Sequence, residues 1–198
     1  RRANESDSFA FSGTVYGSEP GEHRTYLYIA DEQNRVTAYG EGWIFEAIEH
    51  IRWAPDDGGI SFIGSTRTDD EFHKRVYYLD LDGGAVEELS DVEALIDSTV
   101  EFAGDQEVIF AGAAEGDAPA IYAAAPGAGA TALVSLDAIP ASESWRGGFL
   151  LAPDGSRVAF AAERDNGATP WTVYGADLAG GAIRDLLPPD LPLQRTGT

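Results

Sequence analysis

Two histidines at matching positions are the first candidates for chemistry. His23 and His73 each precede a tyrosine by five residues, so they occupy equivalent places in two similar stretches of chain. Asp69 and Asp70 lie close to His73 in the sequence. Imidazole and carboxylate ligands together suit transition metals, so one interpretation is a mixed metal site. The favoured interpretation is that both histidines are solvated polar residues, and we predict neither a metal ion nor a cofactor.

Aromatic and guanidinium side chains are the candidates for binding. A tryptophan at the end of a polar segment can anchor a partner or a sugar, although the alternative is that it caps the core. An arginine in an acidic molecule can grip a carboxylate, although the alternative is pairing with the chain's own aspartates. The predicted binding residues are Trp43, Arg67, Asp69, Asp70, His73, Arg146, Arg164 and Trp171.

No catalytic signature is present in the sequence. It lacks the G-x-S-x-G nucleophile elbow, the H-E-x-x-H zinc motif and the P-loop, and it contains no cysteine. The run from Asp80 to Gly84 begins like a calcium loop but lacks the closing glutamate, so we interpret it as a chain corner. A standalone hydrolase is therefore not expected.

The charge of the chain excludes one class of partner. The sequence has 34 acidic against 13 basic residues and a net charge of −21, whereas nucleic-acid binding depends on clustered Lys and Arg. No apolar run approaches the roughly 20 residues that a membrane helix needs. Dispersed acidic residues with Lys74 as the single lysine favour a salt-loving source, and an ordinary acidic surface is the alternative.

A repeat must position these residues. Ala54, Ala103 and Ala152 open three similar turns that lie 49 residues apart. Around each turn, two β-prone runs are followed by a polar loop, a tyrosine-bearing run, a glycine-rich corner and a fourth run. Four antiparallel strands in each repeat are typical of a propeller blade, and a β-sandwich is the structural alternative.

The predicted fold is therefore an all-β propeller with four-stranded antiparallel blades, of which about four are visible. We expect one domain over residues 1–198, with fifteen strands and helical turns only at 46–51 and 92–96. The first blade lacks its opening strand. The predicted divisions are an incomplete blade at 1–40, blades at 41–91, 92–137 and 138–188, and a tail at 189–198.

The turn and corner motifs resemble the TolB-like propeller repeat, also called the WD40-like or PD40 repeat. The second blade carries Trp53-Ala54-Pro55-Asp56 and the corner 80–84, and the fourth carries the equivalent segments 151–155 and 177–181. The resemblance implies a fold rather than a function, because these residues build corners. Since this family closes rings of six or seven blades, it also implies that the ring seen here is incomplete or part of a larger one.

Function is expected on one face of the disc, which we call the loop face. It carries the connections from the second to the third strand of each blade and the links between blades, and loops on a rigid scaffold tolerate the variation that recognition needs. We predict a non-catalytic module that binds a protein, peptide or glycan there. The alternative is an access-gating propeller of a prolyl-oligopeptidase-like serine peptidase whose hydrolase domain is not in this chain.

Two further expectations concern the whole molecule. The unpaired edge of the first blade is a possible association site, so homo-oligomers or pairing with missing strands are expected outcomes. The expected location is extracytoplasmic, either periplasmic or extracellular, with the cytoplasm as the alternative.

Overall fold

The structure is a computed structural model that describes residues 8–18, 23–68, 71–95, 98–139, 143–164, 172–180 and 182–186. In these ranges the chain forms sixteen β-strands and one short 3-10 helix. The strands are arranged in three antiparallel sheets, and the predicted all-β propeller architecture is confirmed. No helix among the described residues is long and apolar enough to cross a membrane.

Blade 1 contains three strands, which are β1 (Phe9–Tyr16), β2 (His23–Ala30) and β3 (Val36–Tyr39). β1 pairs along its whole length with β2, and β3 pairs with the opposite edge of β2. The other edge of β1 has no strand partner among the described residues. Among the described residues, blade 1 therefore has no inner strand.

Blade 2 has four strands in chain order, which are β4 (Phe45–Trp53), β5 (Gly59–Thr68), β6 (Glu71–Asp80) and β7 (Val86–Glu88). A single residue pair between β2 and β4 joins blades 1 and 2 into one seven-stranded sheet. β5 and β6 pair over ten residues, so they form the longest hairpin in the described chain.

Blade 3 has a divided inner strand. β8 (Glu93–Ala94) and β9 (Val100–Phe102) both pair with β10 (Val108–Ala113), which is followed by β11 (Ala120–Ala125) and β12 (Gly129–Ser135). This division explains why sixteen strands are present where the sequence predicts fifteen.

Blade 4 follows a 3-10 helix at Leu136–Ala138. Its strands are β13 (Glu143–Leu151), β14 (Arg157–Arg164), β15 (Thr172–Asp177) and β16 (Arg184–Asp185), in that order in the sheet. Three complete blades and one incomplete blade are therefore present.

The two predicted helical turns are wrong. Residues 46–51 belong to β4, and residues 93–94 form β8. In β4, Phe45, Ile48 and Ile51 recur every three residues, which imitates the period of a helix. The cause is a pair of register shifts in β4 that interrupt strict alternation, with His50 in the left-handed region at φ 53°.

The aspartate turns and corners are built by local hydrogen bonds. The Asp56 carboxylate accepts from the Gly58 amide at 2.9 Å, and the Asp154 carboxylate accepts from the Ser156 amide at 3.0 Å. At the corner after β6, the Asp80 carboxylate accepts from the Asp82 amide at 3.1 Å. The carboxylates of these motifs therefore hold the backbone, as the corner interpretation predicts.

One aromatic pair recurs in all four blades and organises the core. A phenylalanine of the second strand packs against a tyrosine of the third, with ring centroids 5.4–5.8 Å apart. In blades 2, 3 and 4 this pair is buried against the blade that precedes it in the chain. The four pairs are Phe11–Tyr28, Phe62–Tyr77, Phe110–Tyr122 and Phe160–Tyr174.

Candidate functional site

A packed aromatic group supports the loop face at blade 2. The half-buried ring of Trp43 stacks on Phe45 and meets Tyr77 edge to face, with centroids 5.9 and 5.0 Å away. Its indole Nε1 donates to the carbonyl of Val86 at 3.3 Å. This is the geometry of a core cap, the alternative role for Trp43, although the residue also borders a surface cleft.

Two clefts open on the loop face at the junction of blades 1 and 2. The Arg67 cleft has a volume of about 370 Å³ and is bordered by Trp43, Ile44, Arg67 and His73. The Arg24 cleft has a volume of about 380 Å³ and contains Arg24. Ile44 borders both clefts and its side chain is 59% exposed, so the two form neighbouring parts of one surface.

A carboxylate joins neighbouring blades at two successive junctions. Glu46 on β4 contacts the Nε2 atom of His23 on β2, and Glu93 on β8 lies 2.8 Å from the Nδ1 atom of His73 on β6. Each histidine therefore has a partner from the next blade. Among the described residues, no group of three His, Cys, Asp or Glu side chains is placed to hold a metal ion.

The same two glutamates also contact arginines. Glu46 lies 3.6 Å from the Nε atom of Arg67, and Glu93 lies 3.3 Å from the Nε atom of Arg75. Glu93 further accepts from the backbone amide of Lys74 at 2.7 Å. The Glu93 contacts fix the third strand of blade 2 against the inner strand of blade 3, whereas the contact between Glu46 and Arg67 joins two strands of blade 2.

Glu88 completes the ionic group beneath the Arg67 cleft. It accepts from Arg75 Nη1 at 2.7 Å and from the Tyr77 hydroxyl at 3.2 Å. Burial raises the pKa of Tyr77, and the Glu88 carboxylate raises it further. Burial opposes the charge of Arg75, but the bonds and charges of Glu88 and Glu93 outweigh it and raise the pKa of Arg75. The tyrosine thus stays a neutral donor and the arginine stays charged.

Three side chains stand out from this framework towards solvent. Arg67 is partly exposed and its guanidinium carbon lies 4.2 Å from the centre of the Phe72 ring. Phe72 and Ile44 are each 59% exposed. An arginine beside exposed aromatic and aliphatic groups has the composition of an interaction hot spot.

The predicted binding residues are only partly brought together. Trp43, Arg67 and His73 meet at the Arg67 cleft. Arg146 and Arg164 lie in β13 and β14 of blade 4, on strands rather than in the predicted loops. Asp69, Asp70 and Trp171 lie outside the described residues.

The loop containing Arg67 is also shorter than predicted. Its polar sequence predicts a long connection between the second and third strands of blade 2, but β5 continues to Thr68 and β6 begins at Glu71. Arg67 pairs in register with Phe72, and Thr66 pairs with His73. Alternating β-branched residues extend the hairpin, so these side chains project from strands that hold their positions.

Sequence reasoning missed Ile44, Phe72 and the paired glutamates. Glu46 and Glu93 follow the matching histidines by 23 and 20 residues, and this similar separation is the signal that could have identified them. No pattern in the sequence marks Ile44 or Phe72 as exposed, because that depends on how blades 1 and 2 meet.

The comparisons with known proteins show the fold. No protein-family model and no curated protein matches the sequence. Among solved structures, TolB from Acinetobacter baumannii is 19% identical with a TM-score of 0.52, over 85% of this chain and 39% of that one. A prolyl endopeptidase is 13% identical with a TM-score of 0.59, over 92% of this chain and 29% of that one.

An oligogalacturonate lyase solved with manganese is 15% identical with a TM-score of 0.60, over 91% of this chain and 50% of that one. The chain thus spans half or less of the length of these three proteins. The three proteins are named for different activities. Sequence identities this low show a shared fold alone. The chain has the fold of the TolB-like β-propellers, in the form of an incomplete ring.

Proposed function

We propose that this chain is a binding module that takes a protein or peptide segment on its loop face, at the Arg67 and Arg24 clefts. The observation that carries the proposal is the exposure of Ile44 and Phe72 beside Arg67, on strands that packed aromatic rings and ion pairs hold in place. When a partner covers apolar side chains that are exposed on a rigid base, the burial of their surface stabilises the complex.

The chemistry of the clefts favours a peptide over a glycan. Sugars stack on flat exposed rings, but the Trp43 ring is half-buried between Phe45 and Tyr77. Ile44 offers an aliphatic contact, and Arg67 offers a planar donor for a carboxylate or a backbone carbonyl. An extended segment with an apolar side chain and an acceptor next to it fits both groups.

Selection from a random peptide library tests the proposal. Peptides selected on the wild-type chain are titrated against Ile44→Asp and Phe72→Asp, and we expect binding to weaken roughly tenfold or more, because each change places a charge in the contact. Leu150→Asp is the matched control, since Leu150 is 76% exposed on blade 4, away from the clefts.

The melting temperature of each variant establishes that it folds. If the peptides bind Ile44→Asp and Phe72→Asp as tightly as they bind the wild type, the binding site does not lie at these clefts. A glycan array probed in parallel covers the other ligand class: glycans that bind the wild type and not Ile44→Asp would replace the peptide with a sugar.

A second function is an access gate in a prolyl-oligopeptidase-like serine peptidase. Its support is the shared fold with a prolyl endopeptidase, of which this chain covers 29%. The coding sequence after Thr198 tests it. A downstream G-x-S-x-G followed by Asp and His supports the gate, and a stop codon directly after Thr198 excludes it.

We propose an extracytoplasmic location, periplasmic or extracellular, with the cytoplasm as the alternative. The support is the likeness to TolB in fold. Fractionation of source cells with an antibody against the chain decides between the two compartments, and recovery in the cytoplasmic fraction would reject the proposal.

A further inference from the structure

The recurring Phe–Tyr pair is uncovered in one blade. In blades 2, 3 and 4 the phenylalanine of the pair is 3% exposed or less, because the preceding blade packs on it. In blade 1 the equivalent Phe11 is 38% exposed. The surface that is core in three blades is therefore solvent-facing in the first.

The rest of this surface is also apolar. Phe9, Val15 and Val36 are each more than half exposed, and Phe9 stacks on Phe11 with centroids 5.8 Å apart. Register pairing places Phe9, Phe11 and Val15 on the same side of β1, beside Tyr26 and Tyr28 of β2. We call this surface the blade 1 end face.

The opposite end of the molecule exposes a complementary surface. On blade 4, Leu150 is 76% and Leu186 is 54% exposed, and both border an apolar cleft of about 360 Å³. Ala159 and Gly175 border the same cleft. Because alanine has a small side chain and glycine has none, these positions leave space above the sheet. We call this surface the blade 4 end face.

The interior of the chain shows how the two end faces fit. Ile109 and Ile121 of blade 3 are the residues directly before Phe110 and Tyr122, and they receive the Phe160–Tyr174 pair of blade 4. Ala159 directly precedes Phe160, so it belongs to the equivalent receiving side of blade 4. A Phe–Tyr face covered by the receiving side of the preceding blade is thus found at every junction between described blades.

We propose that the blade 1 end face of one copy of this chain packs on the blade 4 end face of a second copy. The contact is head to tail and repeats the geometry of the internal junctions. Two copies that close on each other contain about eight blades, which is within the four to eight blades that propellers use. Head-to-tail contacts that do not close continue into longer assemblies instead.

Salt controls the strength of this association. Each copy carries a net charge of −21, so two copies repel at low ionic strength. The contact is mainly apolar, with Arg157, Asp177 and Arg184 beside the apolar side chains on blade 4, so screening weakens it little. Association therefore tightens as salt rises, which is opposite to the behaviour of a contact made by ion pairs.

Sedimentation equilibrium of the full chain in 1 M NaCl, from about 1 to 200 µM, tests the proposal. We expect an average molecular mass above that of one copy, which increases with the protein concentration. Phe11→Asp and Leu150→Asp each remove one end face, and each variant alone should weaken association roughly tenfold or more. Phe9→Asp is a second variant at a more exposed position, in case Phe11→Asp fails to fold.

Mixing the two variants distinguishes a head-to-tail contact from a symmetric one. Phe11→Asp keeps its blade 4 end face and Leu150→Asp keeps its blade 1 end face, so the mixture should form pairs and nothing larger. Ile44→Asp changes only the loop face and should associate like the wild type. This separates the inference from the proposed peptide site, because either can fail while the other holds.

Three outcomes would overturn the proposal. One is a wild-type chain that stays a single copy up to 200 µM in 1 M salt. Another is association of Leu150→Asp alone at wild-type strength, which indicates a contact between two blade 1 end faces. The third is a mixture of Phe11→Asp and Leu150→Asp that forms no pairs although both variants are folded.

Discussion

A glutamate on the inner strand of one blade contacts a histidine of the blade before it, at two successive junctions. Glu46 and Glu93 are the two glutamates, and Glu93 adds a backbone amide. The matching positions of His23 and His73 could be predicted from the tyrosine spacing. Their partners could not, because each comes from a strand that is brought near only when two blades pack.

The Glu93 contacts give the first prediction. Glu93→Gln removes the charge that His73 and Arg75 share, while the side chain keeps its size. Because Glu93 is 39% exposed, we expect the free energy of unfolding to fall by about 1 kcal/mol. Urea denaturation measures this. Glu41→Gln, at an exposed position, is the control, and an equal loss in both variants would contradict a specific role for Glu93.

The Tyr77 hydroxyl gives a prediction about pH. Its pKa is raised in the folded chain by burial and then by Glu88, so the folded state favours the neutral phenol. The stabilisation is fully present below the unfolded pKa of about 10 and is lost as pH rises above it. Between about pH 9 and pH 11, the free energy of unfolding should therefore fall less in Tyr77→Phe than in the wild type.

Removing the hydroxyl has a cost at neutral pH. Tyr77→Phe leaves Glu88 with Arg75 alone, so we expect a loss of about 1 kcal/mol in the free energy of unfolding at pH 7. Denaturant titrations from pH 7 to pH 11 measure both effects. If the free energy of unfolding changes with pH in the same way in the variant and in the wild type, the pKa of Tyr77 is not raised in the folded chain.

At the scale of strands, most of the architecture could be predicted and the exceptions have causes. The alanines of the turns recur every 49 residues and each third strand carries a tyrosine, so the hairpins could be found. The bulged strand β4 could not, because apolar residues three apart in a strand imitate a helix. The length of the β5–β6 hairpin was also missed, since its end is polar on both strands and local polarity resembles a loop.

A glycine in β5 explains how two aromatic rings pack between blades 1 and 2. A Cβ atom at Gly64 would lie 2.6 Å from the Phe45 ring and 2.8 Å from the Tyr77 ring. Both rings are fully buried, so neither can move away cheaply. Gly64→Ala should lower the free energy of unfolding by about 1 to 3 kcal/mol.

Gly104→Ala is the matched control for this substitution. Nothing lies within 4 Å of a Cβ atom at Gly104, and its φ is not in the positive range. That change should leave stability unchanged or raise it by up to about 1 kcal/mol, because alanine reduces the entropy of the unfolded chain. Thermal unfolding of the two variants in the same buffer makes the comparison. Equal melting temperatures would mean that the rings around Gly64 adjust freely.

At the scale of the whole molecule, the described residues form an incomplete ring, which the small number of repeats in the sequence predicts. The two apolar end faces could not be predicted, since the same kind of Phe–Tyr pair is buried in three blades and exposed in the first. A repeated sequence specifies which side of each blade is apolar. It does not specify which blade is left without a neighbour.

The net charge of −21 leads to the last prediction. Screening shortens the range of charge repulsion from about 10 Å at 0.1 M salt to about 3 Å at 1 M, and the unfolded chain, being larger, gains less from it. The melting temperature should therefore rise as NaCl increases. Neutralising four exposed acidic residues of blade 3 should make this rise shallower, with the substitutions Asp105→Asn, Glu107→Gln, Glu115→Gln and Asp117→Asn.

Calorimetry of both proteins at about 2 µM and at several salt concentrations measures the two slopes. The low concentration keeps association of the end faces from adding its own salt dependence. A salt-loving source is supported if the melting temperature of the wild type rises well above its value at low salt only when the salt concentration is molar. If both proteins show the same slope, exclusion of salt from the surface accounts for the stabilisation, and the acidic surface has no role in it.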